Sequence, residues 1–294
     1  MQKVFSLLTT LGVGWLLAAP AFAGTVYNNL TPNNLMGVAT RPDTGASEIE
    51  TGDDFFLGSQ TSITSASFVG LLVPGAAGGA TSISDVVAEI YRVFPQDSNT
   101  VRTANVLTRV NSPSDVAFDS RDSAASGLTF SSSVLSDNFT VANSVQPGGI
   151  HPFPNQRTQG NGPLTGQEVQ IDVTFLTPFD LPSNHYFFVP QVALSDGAQF
   201  YWLSASRPIS GAGTTAFPAG VTDLQAWTRD AALDPDWSRV GTDIVGGATP
   251  PTFNMAFSLE GTAAPEPGAT LLALTGLGLL GLRFRTSTRK GGRG

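Results

Sequence analysis

The chain has 294 residues, of which 41% are apolar, 13% are charged and none is cysteine. Charged residues run at about half the usual share of roughly 25% while the apolar share is ordinary, which excludes a solvated disordered chain and a coiled coil; the missing thiols exclude a disulfide scaffold and Cys-ligated zinc or iron–sulfur centres. Between Gly24 and Ala264 nine Arg and no Lys stand against 22 Asp and Glu, a net −13, which repels phosphate backbones and excludes nucleic acid as a partner.

Residues 1–23 read as a secretory signal. Lys3 supplies the positive start, 4–17 is an apolar run interrupted only by Ser, Thr and Gly, and Ala21-Phe22-Ala23 presents small residues at the −3 and −1 positions. Signal peptidase is therefore expected to cut between Ala23 and Gly24.

Residues 24–262 read as one β-rich ectodomain, long enough for a single large core. Val169, Ile171, Val173 and Phe175 alternate with Gln170, Asp172 and Thr174, and Phe253, Met255, Phe257 and Leu259 alternate with Asn254, Ala256 and Ser258. Each pattern predicts a strand with one face on the core and one face wet. Further strands are predicted over 54–57, 63–73, 86–94, 101–110, 134–141, 185–194, 199–204 and 223–228, separated by clusters of Gly, Pro, Asn, Asp and Ser. The stretch 145–166, with Pro147-Gly148-Gly149 and Gly160-Asn161-Gly162-Pro163, predicts a long surface loop. No helical apolar period and no repeat occurs in this segment. The expected fold is all-β, an antiparallel two-sheet sandwich of jelly-roll type, followed by a single apolar C-terminal helix.

The only histidines, His151 and His185, lie far apart, and no G-x-S-x-G elbow is present. Nucleophilic catalysis and a histidine metal site are not supported, and no catalytic residue is assigned. Carboxylates are more plentiful: Asp53-Asp54 stands before a predicted strand, and Asp230, Asp234 and Asp236 gather at a turn. Hard oxygen ligands of this kind suit calcium, the one candidate cofactor, although no EF-hand spacing is present and solvated turn residues have the same look. Paired carboxylates also serve glycoside hydrolysis if two approach across a cleft and one is held protonated. Tyr201, Trp202, Trp227 and Trp237 concentrate in the last third of the chain. Aromatic planes beside acids and amides form platforms for sugar rings; large core residues have the same composition.

At the C-terminus, Pro265-Glu266-Pro267 is followed by an uncharged stretch from Gly268 to Leu282 and by a basic tail carrying Arg283, Arg285, Arg289, Lys290 and Arg293. As a helix the uncharged stretch reaches about 22 Å, short of the roughly 30 Å hydrocarbon layer, which suits a temporary inner-membrane span with snorkelling Arg. The basic tail orients it with the ectodomain outside. These parts, in this order, resemble the PEP-CTERM sorting signal of Gram-negative bacteria, over residues 263–294 only. The resemblance implies an exosortase as processing partner, cleavage near Pro265, Glu266 and Pro267, and delivery to the cell surface or extracellular polymer of biofilm-forming cells. The expected function is that of an exported, non-enzymatic surface or matrix protein with a structural or polysaccharide-associated role. A secreted carbohydrate-active hydrolase and a membrane-anchored adhesin are the alternatives.

Overall fold

The computed structural model of the protein describes residues 23–75, 82–101, 109–150, 157–195, 197–206, 224–233 and 236–263. The fold is mostly β, in two sheets. The larger sheet runs β1 (Gly24–Asn28), β15 (Phe257–Ala263), β4 (Thr61–Val73), β11 (Gln199–Ala205), β2 (Pro32–Ala39), β8 (Asn143–Val145). From β4 it also branches through β9 (Leu164–Leu181) to β7 (Leu128–Val141), and β14 (Asn254–Met255) joins β11. The smaller sheet runs β13 (Ser238–Arg239), β12 (Trp227–Asp230), β3 (Ile49–Phe56), β10 (His185–Leu194), β5 (Ile83–Arg92), β6 (Asp119–Asp122). All pairings are antiparallel except β2 with β8.

The sheets meet through aromatic side chains. Phe188 of β10 lies 5.4 Å from Phe257 of β15, 6.1 Å from Trp202 of β11 and 6.3 Å from Phe68 of β4, ring centre to ring centre. Aromatic pairs at such separations add to the area they bury. Close approach is bought at Gly70, where an added Cβ would stand 2.2 Å from the Phe200 ring and 2.7 Å from the Tyr201 carbonyl. A polar link also joins the sheets: the Met255 amide donates to Asp53 Oδ2 at 2.8 Å.

Most expected strands are present, several with longer bounds. Val169, Ile171, Val173 and Phe175 are buried while Thr174 is exposed, as the alternation requires. Around β14 and β15 the alternation misleads, since Asn254, Ala256 and Ser258 are buried along with Met255, Phe257 and Leu259. That segment runs beside β4 and β11 in the middle of the large sheet and has no wet face. Asp53 and Asp54 lie inside β3 rather than before it. The expected strand at 101–110 falls mostly on residues outside those described, and residues 110–111 are turn. β1, β2, β6, β8 and β13 lie outside the expected strands; β6 (Asp-Ser-Arg-Asp), β8 (Asn-Ser-Val) and β13 (Ser-Arg) are short, carry weak strand propensity and are held by neighbours.

One irregularity has a visible cause. Along β4 and β9, Thr174 opposes Ser65 but Phe179 opposes Ile63, so β9 carries additional residues there, including Pro178. Proline has no amide hydrogen for the ladder. The carbonyls of Thr177 and Pro178 are satisfied instead by the Arg121 guanidinium, at 2.7 and 2.9 Å. Among the described residues no helix is long and apolar enough to cross a membrane; the expected C-terminal helix lies outside them.

Candidate functional site

Period-two alternation divides the small sheet into two faces. Ile49, Thr51, Asp53 and Phe55 of β3 face the main core, as do Val86, Ala88 and Ile90 of β5 and Tyr186, Phe188 and Val192 of β10. The opposite residues, Tyr91, Phe187, Val189 and Trp227, form with Trp237 a second buried cluster. Glycine at position 52 keeps that face flat, since a Cβ there would meet Val189 at 3.0 Å.

This second cluster contains an ionic group. Glu48, Glu50 and Glu89 place carboxylate oxygens within 4.8 Å of one another, with Glu50 fully enclosed and the other two partly exposed. Arg229, directly opposite Glu50 in the β3–β12 register, grips both Glu50 oxygens: Nε on Oε2, and Nη2 on Oε1 at 3.1 Å. Tyr91 donates its hydroxyl to Glu50 Oε1 and lies 3.4 Å from Glu89 Oε2. Gln191 Nε2 donates to Glu48 Oε1 at 2.8 Å. Arg229 lies over the Trp237 ring at 4.6 Å and donates to the Asp115 carbonyl at 2.9 Å. Asp115 in turn pairs with Arg109, which also holds Asp236 at 2.9 Å.

Three carboxylates under one guanidinium leave an excess of negative charge in a poorly solvated place. Burial, then repulsion from Glu50 and Glu48, lifts the Glu89 carboxyl from 4.5 to about 8. Glu48 is raised in the same direction, by burial and then by Glu50. Burial works against the charge on Arg229, but Glu50 outweighs it and holds the guanidinium above its ordinary range. Glu89 therefore carries a proton at neutral pH.

A stability prediction follows from that proton. The folded protein retains it where the unfolded chain has released it, so stability declines as pH rises from 4.5 to about 8 and levels beyond. Glu89→Gln keeps a neutral hydrogen-bonding group there, and urea unfolding at a series of pH values is expected to show a flatter profile over that window. An unchanged slope would assign the pH dependence to other groups.

The structure corrects the aromatic platform. Tyr201, Trp202, Trp227 and Trp237 are at most 4% exposed. Trp202 donates Nε1 to the Ala256 carbonyl at 2.9 Å and Trp237 to the Ser114 carbonyl at 2.9 Å, so these rings are core and offer no face to a sugar. Nor are they together, since Tyr201 and Trp202 belong to the large sheet and Trp227 and Trp237 to the outer cluster of the small one. Of the calcium candidates, the two described residues serve other partners. Asp230 accepts from Ser47 Oγ and the Ala232 amide, both at 3.0 Å, whereas Asp236 serves Arg109; Asp234 lies outside the described residues. Among the described residues, the oxygen-rich group with ligand spacing is Glu48, Glu50 and Glu89.

His185 lies against Phe56 at 4.0 Å between ring centres, its Nε2 3.3 Å from the buried Asp54, at the far end of β10 from the acidic group. His151 and the sorting motif Pro265, Glu266 and Pro267 lie outside the described residues. Gly24 opens β1 and pairs with Gly261 of β15, with Ala23 exposed just before it. Comparison with known proteins gave no match: no family model, curated protein or solved structure is significantly similar to this chain.

Proposed function

We propose that the protein is an exported β-domain, sorted through its C-terminus by an exosortase to the cell surface or extracellular polymer, with a non-enzymatic structural or polysaccharide-associated role. The observation that carries this reading is the order Pro265-Glu266-Pro267, uncharged stretch, Arg-rich tail, at the end of a chain that opens with a signal-like segment. The fold is compatible with it. The start of β1 lies beside the end of β15, so the ectodomain's first and last strands begin and end side by side. The jelly-roll connection and the C-terminal helix belong to the same proposal, supported by a chain that crosses repeatedly between the two sheets and by the uncharged run 268–282.

The test follows the two ends of the chain. An epitope placed after Gly294 is expected to be lost from the exported species while one placed in the ectodomain remains. Glu266→Ala is expected to retain the C-terminal epitope and hold the protein in the membrane. Retention in the unaltered chain would favour the anchored adhesin.

One observation favours a second reading, a carbohydrate-active hydrolase. Glu89 is raised to about 8 beside a second carboxylate, the combination an acid and its partner need. Against it, Glu50 is 1% exposed and both its oxygens are taken by Arg229 and Tyr91, which leaves none for a sugar or a water. Release of reducing ends from the host polysaccharide, abolished by Glu89→Gln in a folded protein, would establish the hydrolase.

A further inference from the structure

Among the described residues, β7 forms an open edge of the larger sheet. One side of this 14-residue strand pairs with β9; along the other, over 129–140, no backbone hydrogen bond is made among the described residues. Nearly all its side chains from Thr129 to Thr140 are exposed or half-exposed, including Val134 at 55% and Leu135 at 50%. An open edge of this kind presents unpaired amides and carbonyls to which only another extended chain is complementary. Natural edges are usually blunted by Lys, Pro, bulges or inward charges. Here the first half has none of these: 128–134 reads Leu-Thr-Phe-Ser-Ser-Ser-Val, without charge, proline or glycine, the composition that self-pairs most readily. The register shifts begin only after Val134.

We propose that β7 is a homotypic docking edge, and that two copies of the protein pair antiparallel through 128–134 about a two-fold axis at Ser131. In that register Leu128 faces Val134, Thr129 faces Ser133, Phe130 faces Ser132 and Ser131 faces its own copy. Electrostatics favours this place for the meeting of two copies. The segment 24–264 carries a net −13, so most approaches of two copies oppose like charges. Along 128–134 they do not: the nearest carboxylate across the ladder is Asp172, directly opposite Ser131 on β9 and already hydrogen-bonded by Ser67 at 2.6 Å. Three strand spacings of about 4.8 Å separate the two Asp172 residues in the pair, beyond the screening length at physiological salt. The shifts after Val134 bend the strand and end the pairing, which favours a discrete dimer over an endless ribbon.

The test uses the full-length protein in non-ionic detergent, read by sedimentation across a concentration series. A monomer–dimer equilibrium is expected, weakened at least tenfold by Ser131→Lys, which sets two ammonium groups directly opposite each other across the axis. Within one protomer the introduced ammonium lies opposite Asp172, so the melting temperature is expected not to fall. Because the chain has no cysteine, Ser131→Cys supplies a register-specific reporter: its two sulfurs meet at the axis and are expected to form a disulfide dimer under mild oxidation. In Thr129→Cys the two sulfurs lie four residues apart along the pair and are expected not to join. A protein that stays monomeric to about 1 mM, a dimer indifferent to Ser131→Lys, or equal crosslinking of the two cysteine variants would overturn the proposal.

Discussion

Arg229→Met is expected to destabilise the protein by about 3–5 kcal/mol at neutral pH, the usual consequence of removing one partner of a buried ion pair. Arg229 is the guanidinium that grips the fully enclosed Glu50, and without it that carboxylate is left buried with no cation beside it. Methionine fills much of the same volume beside Trp237, so the loss reports charge rather than a cavity. Two companion measurements separate this account from general damage. Glu50→Leu combined with Arg229→Met replaces the pair by apolar groups, and most of the lost stability is expected to return. Lowering the pH supplies protons to the orphaned carboxylates, so the gap between Arg229→Met and the unaltered protein is expected to narrow toward pH 5. A double variant no better than the single one would show that Arg229 acts through packing against Trp237 and through its bond to the Asp115 carbonyl. With a whole-domain stability of order 5–15 kcal/mol, the single substitution is large enough to read in yield as well as in a urea midpoint.

The β class was legible because the long strands carry strong period-two signals: β9 shows its buried row at Val169, Ile171, Val173 and Phe175 in plain alternation. The acidic group was not, although half its signal is written in the chain. Glu48, Glu50, Gly52 and Asp54 alternate at period two and so share a face once β3 is known to begin at Ile49 rather than near Asp54. The other half is topological. Arg229 and Glu89 reach Glu50 from strands far away in sequence, and no local pattern reports that β12, β3, β10 and β5 are neighbours. Charge pairing shows the same limit. Arg239 finds its Asp locally, at Asp243 four residues on, whereas Arg229 takes Glu50 and Asp236 takes Arg109. The aromatic residues misled for a physical reason, since a tryptophan that stacks on sugar and one that fills a core are the same residue until burial is known.

Trp202→Ala is expected to cost about 3–5 kcal/mol, the range for truncating a large buried aromatic. Trp202 has no exposed surface, stands opposite Gly70 at the β4–β11 pairing and packs on Phe188 and Phe257, the rings that join the two sheets. Trp202→Phe separates the two parts of that loss. Phenylalanine restores most of the apolar contact but cannot donate to the Ala256 carbonyl, which keeps the Val69 amide at 3.2 Å as a remaining partner. With that acceptor still satisfied, Trp202→Phe is expected to cost about 1–2 kcal/mol. Urea unfolding followed by far-UV circular dichroism, whose signal does not depend on the tryptophan removed, measures both variants. Equal losses would place the value of Trp202 in its hydrogen bond; a negligible loss for alanine would mean that the sheets are not joined through this ring. The result also governs how binding experiments are read: a Trp202 variant that loses polysaccharide affinity has first lost the packing between the sheets, and a sugar site must be sought among residues that remain exposed.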